Sequence, residues 1–291
     1  MGRDYVIITD STNDMPKGYT EVNGVDVIPI SFEIGGDVYD GREKTISNQE
    51  FYERMRAGER TKTAAPNIND IEERFEAALS AGKDVLFMCL SSGISSTINN
   101  AYICREDMQE KYPDADICVF DSLCACGGQG LLLYLAVENK KKGMSARENM
   151  EALESAKLHV VHKFTVEDLV YLQRGGRISK TAAVIGGMIQ LKPVLHVDDA
   201  GNLVAESKVR GRKKSLNQLV AEMDKCVGSY ADKQEAVVIC HADCREDADY
   251  VAKLVEEKYH PKQIFMSEVS PTIGAHSGPG TMTLFFMGDR R

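Results

Sequence analysis

Short apolar runs and longer amphipathic stretches alternate along the first half of the chain. Residues 5–9, 84–90 and 117–120 are nearly continuous apolar runs, the pattern of strands buried on both faces of a parallel sheet. Residues 25–32 read as a further strand. Helical patterns occupy 69–81, closed by Gly82, and 99–112 and 127–142. Ser47 and Ser145 each precede a glutamate by three positions, Glu50 and Glu148, and so predict capping boxes at two more helix starts. Gly35-Gly36 places a hairpin within 33–39, and 61–67 reads as a polar loop. Strand and helix in regular alternation predict a parallel α/β sheet.

The pattern changes near residue 158. Strands are predicted at 158–164, 193–197, 203–209, 236–241, 263–269 and 282–287. The turn Asp198-Asp199-Ala200-Gly201 joins two of them as a hairpin. Helices at 215–227 and 245–259 lie between others. The fold class is therefore α/β in two domains: an N-terminal parallel α/β unit, 1–157, and a C-terminal mixed sheet flanked by helices, 158–291. Ligands often sit between such units.

Composition narrows the function classes. A net charge of −9 argues against a nucleic-acid partner, which needs clustered cations. The dense basic runs are Lys140-Lys141-Lys142, which suits a helix C-terminus, and Arg210-Gly211-Arg212-Lys213-Lys214, a candidate docking patch or a solvated face. The N-terminus lacks a signal-peptide layout. Val6 breaks a myristoylation pattern, and no apolar run approaches the length of a membrane span. A cytoplasmic protein with reduced cysteines is expected. Cys89, Cys104, Cys118 and Cys240 sit in apolar patterns as small core residues.

Four segments offer chemistry. Ser91-Ser92-Gly93-Ile94-Ser95-Ser96-Thr97 lies at a strand-to-helix turn, where free N–H groups and crowded hydroxyls form a cradle for a phosphate or carboxylate. Thr63-Ala64-Ala65-Pro66-Asn67 could fix a hydroxyl on a loop. Leu172-Gln173-Arg174-Gly175-Gly176-Arg177 is followed by Ser179-Lys180-Thr181; it offers close backbone and a forked cation. Ser179 stands where a P-loop needs glycine. Thr272-Ile273-Gly274-Ala275-His276-Ser277-Gly278 reads as a Gly-rich turn between strands, in which His276 has no core role to fill. Cys124-Ala125-Cys126 and His241-Ala242-Asp243-Cys244 lack zinc-finger spacing, so no metal is expected.

These segments together resemble the DegV family, which includes fatty-acid-binding FakB-type proteins. The resemblance spans nearly the whole chain. It rests on Thr9-Asp10-Ser11-Thr12-Asn13-Asp14, Thr63 to Asn67, Ser91 to Thr97, Val119-Phe120-Asp121-Ser122, Leu169 to Ile178, Lys192-Pro193-Val194-Leu195 and Ile273 to Gly280. It implies one long-chain fatty acid in a buried tunnel, no other cofactor, and a carboxylate held by Thr63, Ser95, Arg177 and His276. Ser92, Gly93, Ser96 and Gly274 would form the supporting head-group loop. It further implies a non-catalytic carrier that presents the carboxylate to a fatty-acid kinase for phospholipid synthesis. Arg210 and Arg212 would meet the kinase, and a transient contact with a membrane surface is allowed. Ala64, Asn67 and Ser96 depart from the family's usual T-S-Q-P-S and S-S-G-L-S-G-T patterns and leave room for a different ligand.

Physical chemistry supports a carrier. Burying about fourteen methylenes at roughly 0.8 kcal/mol each grosses on the order of 11 kcal/mol before ordering costs. The head group then has mainly to avoid being buried unpaired. Ile185, Met188, Ile189 and Leu191 are candidate acyl-tunnel residues, methionine being adaptable. Two other readings use the same residues. One is a hydrolase or acyltransferase working through Ser95 and His276, without a G-x-S-x-G elbow. The other is a module that binds a phosphometabolite.

Overall fold

The computed structural model describes residues 3–178 and 191–291. In chain order, the first part holds β1 (Tyr5–Asp10), α1 (Tyr19–Val22), β2 (Asp26–Ile28), β3 (Phe32–Ile34), β4 (Asp37–Tyr39), α2 (Asn48–Arg56), β5 (Thr61–Thr63) and α3 (Ile68–Ser80). β6 (Asp84–Cys89), α4 (Thr97–Lys111), β7 (Ile117–Asp121), α5 (Gly127–Lys141) and α6 (Ala146–Ala156) follow. The rest holds β8 (Val160–Thr165), α7 (Val170–Arg174), β9 (Leu191–Val197), β10 (Leu203–Arg210), α8 (Arg212–Cys226), β11 (Val237–His241), α9 (Arg245–Tyr259), β12 (Ile264–Glu268), α10 (Pro271–Ser277) and β13 (Met282–Met287).

The parallel sheet runs in the order β2-β1-β6-β7. The mixed sheet runs β10-β9-β8-β13-β11-β12, with β11 and β12 parallel and the other neighbours antiparallel. The α/β architecture with one parallel and one mixed sheet agrees with the sequence reading. A small antiparallel sheet, β4-β3-β5, lies beside them.

α5 stands between the two large sheets. Its Leu131, Leu132, Leu133, Ala136 and Val137 share one core with Ile7, Leu86 and Met88 of the parallel sheet and Val238, Cys240 and Phe285 of the mixed sheet. The start of this helix approaches the mixed sheet so closely that no side chain fits. A Cβ on Gly128 would lie 2.1 Å from His162 Nε2, and one on Gly127 2.6 Å from Val238. Among the described residues, no helix is long and apolar enough to cross a membrane.

Several boundaries differ from the sequence expectations. The strand read at 25–32 is two strands: β2 joins the parallel sheet and β3 joins the small one. Pro29, which lacks an N–H for a ladder, lies between them. The polar loop at 61–67 begins as β5, paired with β3 through Phe32 opposite Thr63. The Gly-rich turn around His276 is helix α10. Pro271 at its first turn supplies a helical φ, and Gly278 ends it at φ 83°. Candidate tunnel residues Ile185, Met188 and Ile189, and Ser179, Lys180 and Thr181, lie outside the described residues.

Candidate ligand site

A cavity of about 250 Å³ lies where β5, the turn between β6 and α4, α7 and α10 meet the mixed sheet. The polar candidates come from four separate places in the fold. Thr63 ends β5, Ser95 and Ser96 lie on the turn before α4, Arg177 follows α7, and His276 occupies the last turn of α10; all five line the cavity. Its apolar wall includes Ile94, Phe164, Leu172, Ile273 and Phe285.

Each polar group is held by its own hydrogen bonds. Thr63 Oγ1 lies 2.8 Å from His276 Nε2, although 213 positions separate the two residues in sequence. His276 Nδ1 is buried and has no partner among the described residues. Burial first, and the nearby Arg177 charge second, push the His276 pKa down to about 4, so the ring is neutral at pH 7. Arg177 is half-buried, and burial pushes its pKa down. Its Nε donates to Ile94 O at 3.1 Å and its Nη1 to Gly175 O at 2.5 Å. No carboxylate among the described residues pairs with it. Ser95 Oγ shares a 2.9 Å hydrogen bond with Thr97 Oγ1.

This arrangement suits an anion with an apolar tail. Arg177 supplies uncompensated charge, while Thr63, Ser95 and His276 supply short-range hydrogen bonds. It is poorly arranged for a serine nucleophile. His276 Nε2 is engaged by Thr63, and Ser95 is turned to Thr97 rather than to an imidazole. Among the described residues, no group of three His, Cys, Asp or Glu side chains gathers as metal ligands. All eight cysteines are free thiols, seven of them buried.

Other candidates are placed elsewhere. Ser92 N donates to Asp121 Oδ1, and a Cβ on Gly93 would lie 2.7 Å from Gly201 O. Ser92 therefore ties the turn to the end of β7, and Gly93 serves the contact between the turn and the β9–β10 hairpin. Gly274 backs onto Tyr52, whose hydroxyl a Cβ there would meet at 2.4 Å; its small size is a packing requirement. Leu191 is half-buried at the start of β9, opposite Arg210, and does not line the cavity. Arg212 is turned inward, with Nε donating to Asp247 at 2.8 Å and Nη1 lying 3.5 Å from Glu167. Arg210, Lys213 and Lys214 are exposed.

The sequence reading missed the mixed-sheet wall: His162 and Phe164 on β8, and Thr281, Thr283 and Phe285 on or beside β13. His162 is fixed as a neutral ring. Nε2 accepts from Ala125 N and Nδ1 donates to Val160 O, both at 3.1 Å, and burial pushes its pKa well down. The available signal was the two-residue period of these positions, which puts them on one face of the sheet.

Acid should destabilise the protein through these rings. His162, His196, His241 and His276 all have folded-state pKa values lowered by burial. Between about pH 6.5 and 4 the unfolded chain takes up protons that the folded chain refuses, so stability is lost as pH falls through that window. His276 alone contributes up to about 3 kcal/mol by pH 4. Urea unfolding at pH 6.5 and 4.5 measures the loss, and a bound carboxylate should shrink it by offsetting Arg177. Because the raised pKa of buried Asp14 acts in the opposite direction, the refuting result is the same pH dependence in the unaltered protein and in His276→Gln.

The fold and site define an α/β protein with one parallel and one mixed sheet and an apolar cavity whose wall carries Arg177, a cation with no carboxylate partner among the described residues. The family model described as "Uncharacterised protein, DegV family" matches residues 4–289, and the chain belongs to the DegV family. A DegV domain-containing protein of Clostridium perfringens is 39% identical over 288 residues, covering 99% of this chain and 98% of its own. Among solved structures, DegV of Bacillus subtilis, a fatty acid binding protein, superposes with TM-score 0.84 at 30% identity, covering 99% of this chain and all of that one. A stearic acid-binding protein from Eubacterium ventriosum superposes with TM-score 0.85 at 28% identity, covering 98% of each chain.

Proposed function

We propose that this protein binds one long-chain fatty acid, with the carboxylate against Thr63, Ser95, Arg177 and His276 and the acyl chain along the apolar wall. The observation that carries this reading is the pairing of a charged, hydrogen-bonding wall with apolar surroundings in one cavity. Binding by the Bacillus and Eubacterium relatives supports it. The cavity then lies between two units, 1–157 and 158–291, in a cytoplasmic carrier without catalysis of its own. Its product role is to offer the carboxylate to a fatty-acid kinase. The docking patch is Arg210 with Lys213 and Lys214, and Arg212 anchors it from beneath through Asp247 and Glu167.

Organic-solvent extraction of freshly purified protein, followed by mass spectrometry, tests the binding. About one fatty acid per chain is expected. An empty extract, with no uptake of added fatty acid, would overturn the reading in favour of a phosphate-type ligand.

A further inference from the structure

We propose that Asp14 is the positioning residue of the head-group helix, holding α10 and the cavity wall together from a loop of the opposite sheet. This inference rests on the fatty-acid reading of the cavity. Asp14 follows β1, is buried, and has left-handed backbone at φ 43°. Its carboxylate has two partners in different elements. Oδ1 accepts from Ser270 N at 3.1 Å, and Ser270 is the cap position of α10. Oδ2 accepts from the Cys126 thiol at 2.9 Å, and Cys126 heads α5 and lines the cavity. The Asp14 carbonyl accepts from Ser267 Oγ on β12. One residue thus joins β12, α5 and the helix that carries His276 to the Thr63 hydrogen bond.

The two partners ask for a carboxylate. An ionised carboxylate accepts from both donors and complements the positive end of α10. A protonated one carries a hydrogen on one oxygen and grips less well. Burial pushes the Asp14 pKa up to about 7, with the Cys126 and Ser270 bonds acting against burial. The grip therefore changes near neutrality. The groups around it are Asp10 at the end of β1, Tyr52 of α2, Cys126 at the head of α5, Cys240 of β11 and, along an open depression that Asp14 also lines, Lys17, Glu21, His241, Arg245 and Glu268. His276, with its pKa near 4, titrates below this window.

Oleate affinity should fall at least about fivefold from pH 8 to pH 6, the lower end of ordinary site-to-site coupling. Asp14→Asn, which keeps the shape and loses the titration, should bind oleate with an affinity that is flat over the same range. A variant that merely loosened the fold would bind worse at every pH and keep the slope. Reciprocity supplies a second measurement on the unaltered protein: oleate binding should lower the Asp14 pKa, followed by carbon-13 NMR of its carboxyl. A pH slope retained in Asp14→Asn, or an Asp14 pKa identical with and without oleate, overturns the inference and leaves the carrier reading standing. Absence of any oleate binding by the unaltered protein overturns both.

Discussion

Thr63→Val should leave the protein folded and lower its affinity for a long-chain fatty acid by about 10- to 150-fold. Valine keeps the β-branched shape that suits β5, so β5 stays paired with β3. The hydroxyl is what disappears. A hydrogen bond to a charged group contributes about 1.5–3 kcal/mol, and each 1.4 kcal/mol is about tenfold in affinity. The loss has a second part: His276 Nε2 now lies at 2.8 Å from Thr63, and its Nδ1 is already without a partner among the described residues. Valine strands both ring nitrogens, and the ring is free to leave the position that a carboxylate would meet. Oleate titration beside urea unfolding separates the two effects. Affinity equal to that of the unaltered protein would remove Thr63 from the head-group site.

The two glycines after α7 should behave oppositely when changed to alanine. Gly175 has ordinary helical backbone at φ −72°, yet a Cβ there would lie 2.2 Å from His276 Nδ1. The strain falls on the imidazole. Overpacking of this kind costs about 1–3 kcal/mol, or roughly 5- to 150-fold if it is all expressed in binding. Gly176 has φ 69° and open space around it. Alanine there should cost about 1–2 kcal/mol of stability through its backbone and leave affinity unchanged. Affinity loss at 176 but not at 175 would mean that the His276 position does not matter for binding.

The local grammar of the chain was legible. Ser145 and Glu148 form the reciprocal capping box that their spacing predicts, and Ser47 caps α2 through Glu50 N. Gly35-Gly36 turns β3 into β4 as expected. Short elements were not legible. β5 spans only Thr61–Thr63 and draws its strand character from β3, a partner that periodicity cannot name. α10 is seven residues whose Gly274, with Gly278 and Gly280 just beyond, reads as a turn, and Pro271 at its start outweighs them.

The site was legible only in pieces. Periodicity cannot bring Thr63 to His276; resemblance to a family did. The mixed-sheet wall stayed hidden because β13 is apolar on both faces: Thr283 and Phe285 face the cavity, while Met282, Leu284 and Phe286 enter another core. Glycine misled for a related reason. It marks a close approach without saying to what, and at Gly93 and Gly274 the close neighbour is another part of the protein.

The single core shared across α5 bears on how cargo is exchanged. Parting the two sheets like a clam would pull Leu131, Leu132 and Leu133 from one side or the other, and each fully exposed leucine costs about 1.5–3 kcal/mol. Opening on that scale amounts to partial unfolding. A fatty acid bound as proposed would instead have to pass through a local gap in the cavity wall, so that opening of such a gap, and not only the grip on the head group, would enter its residence time.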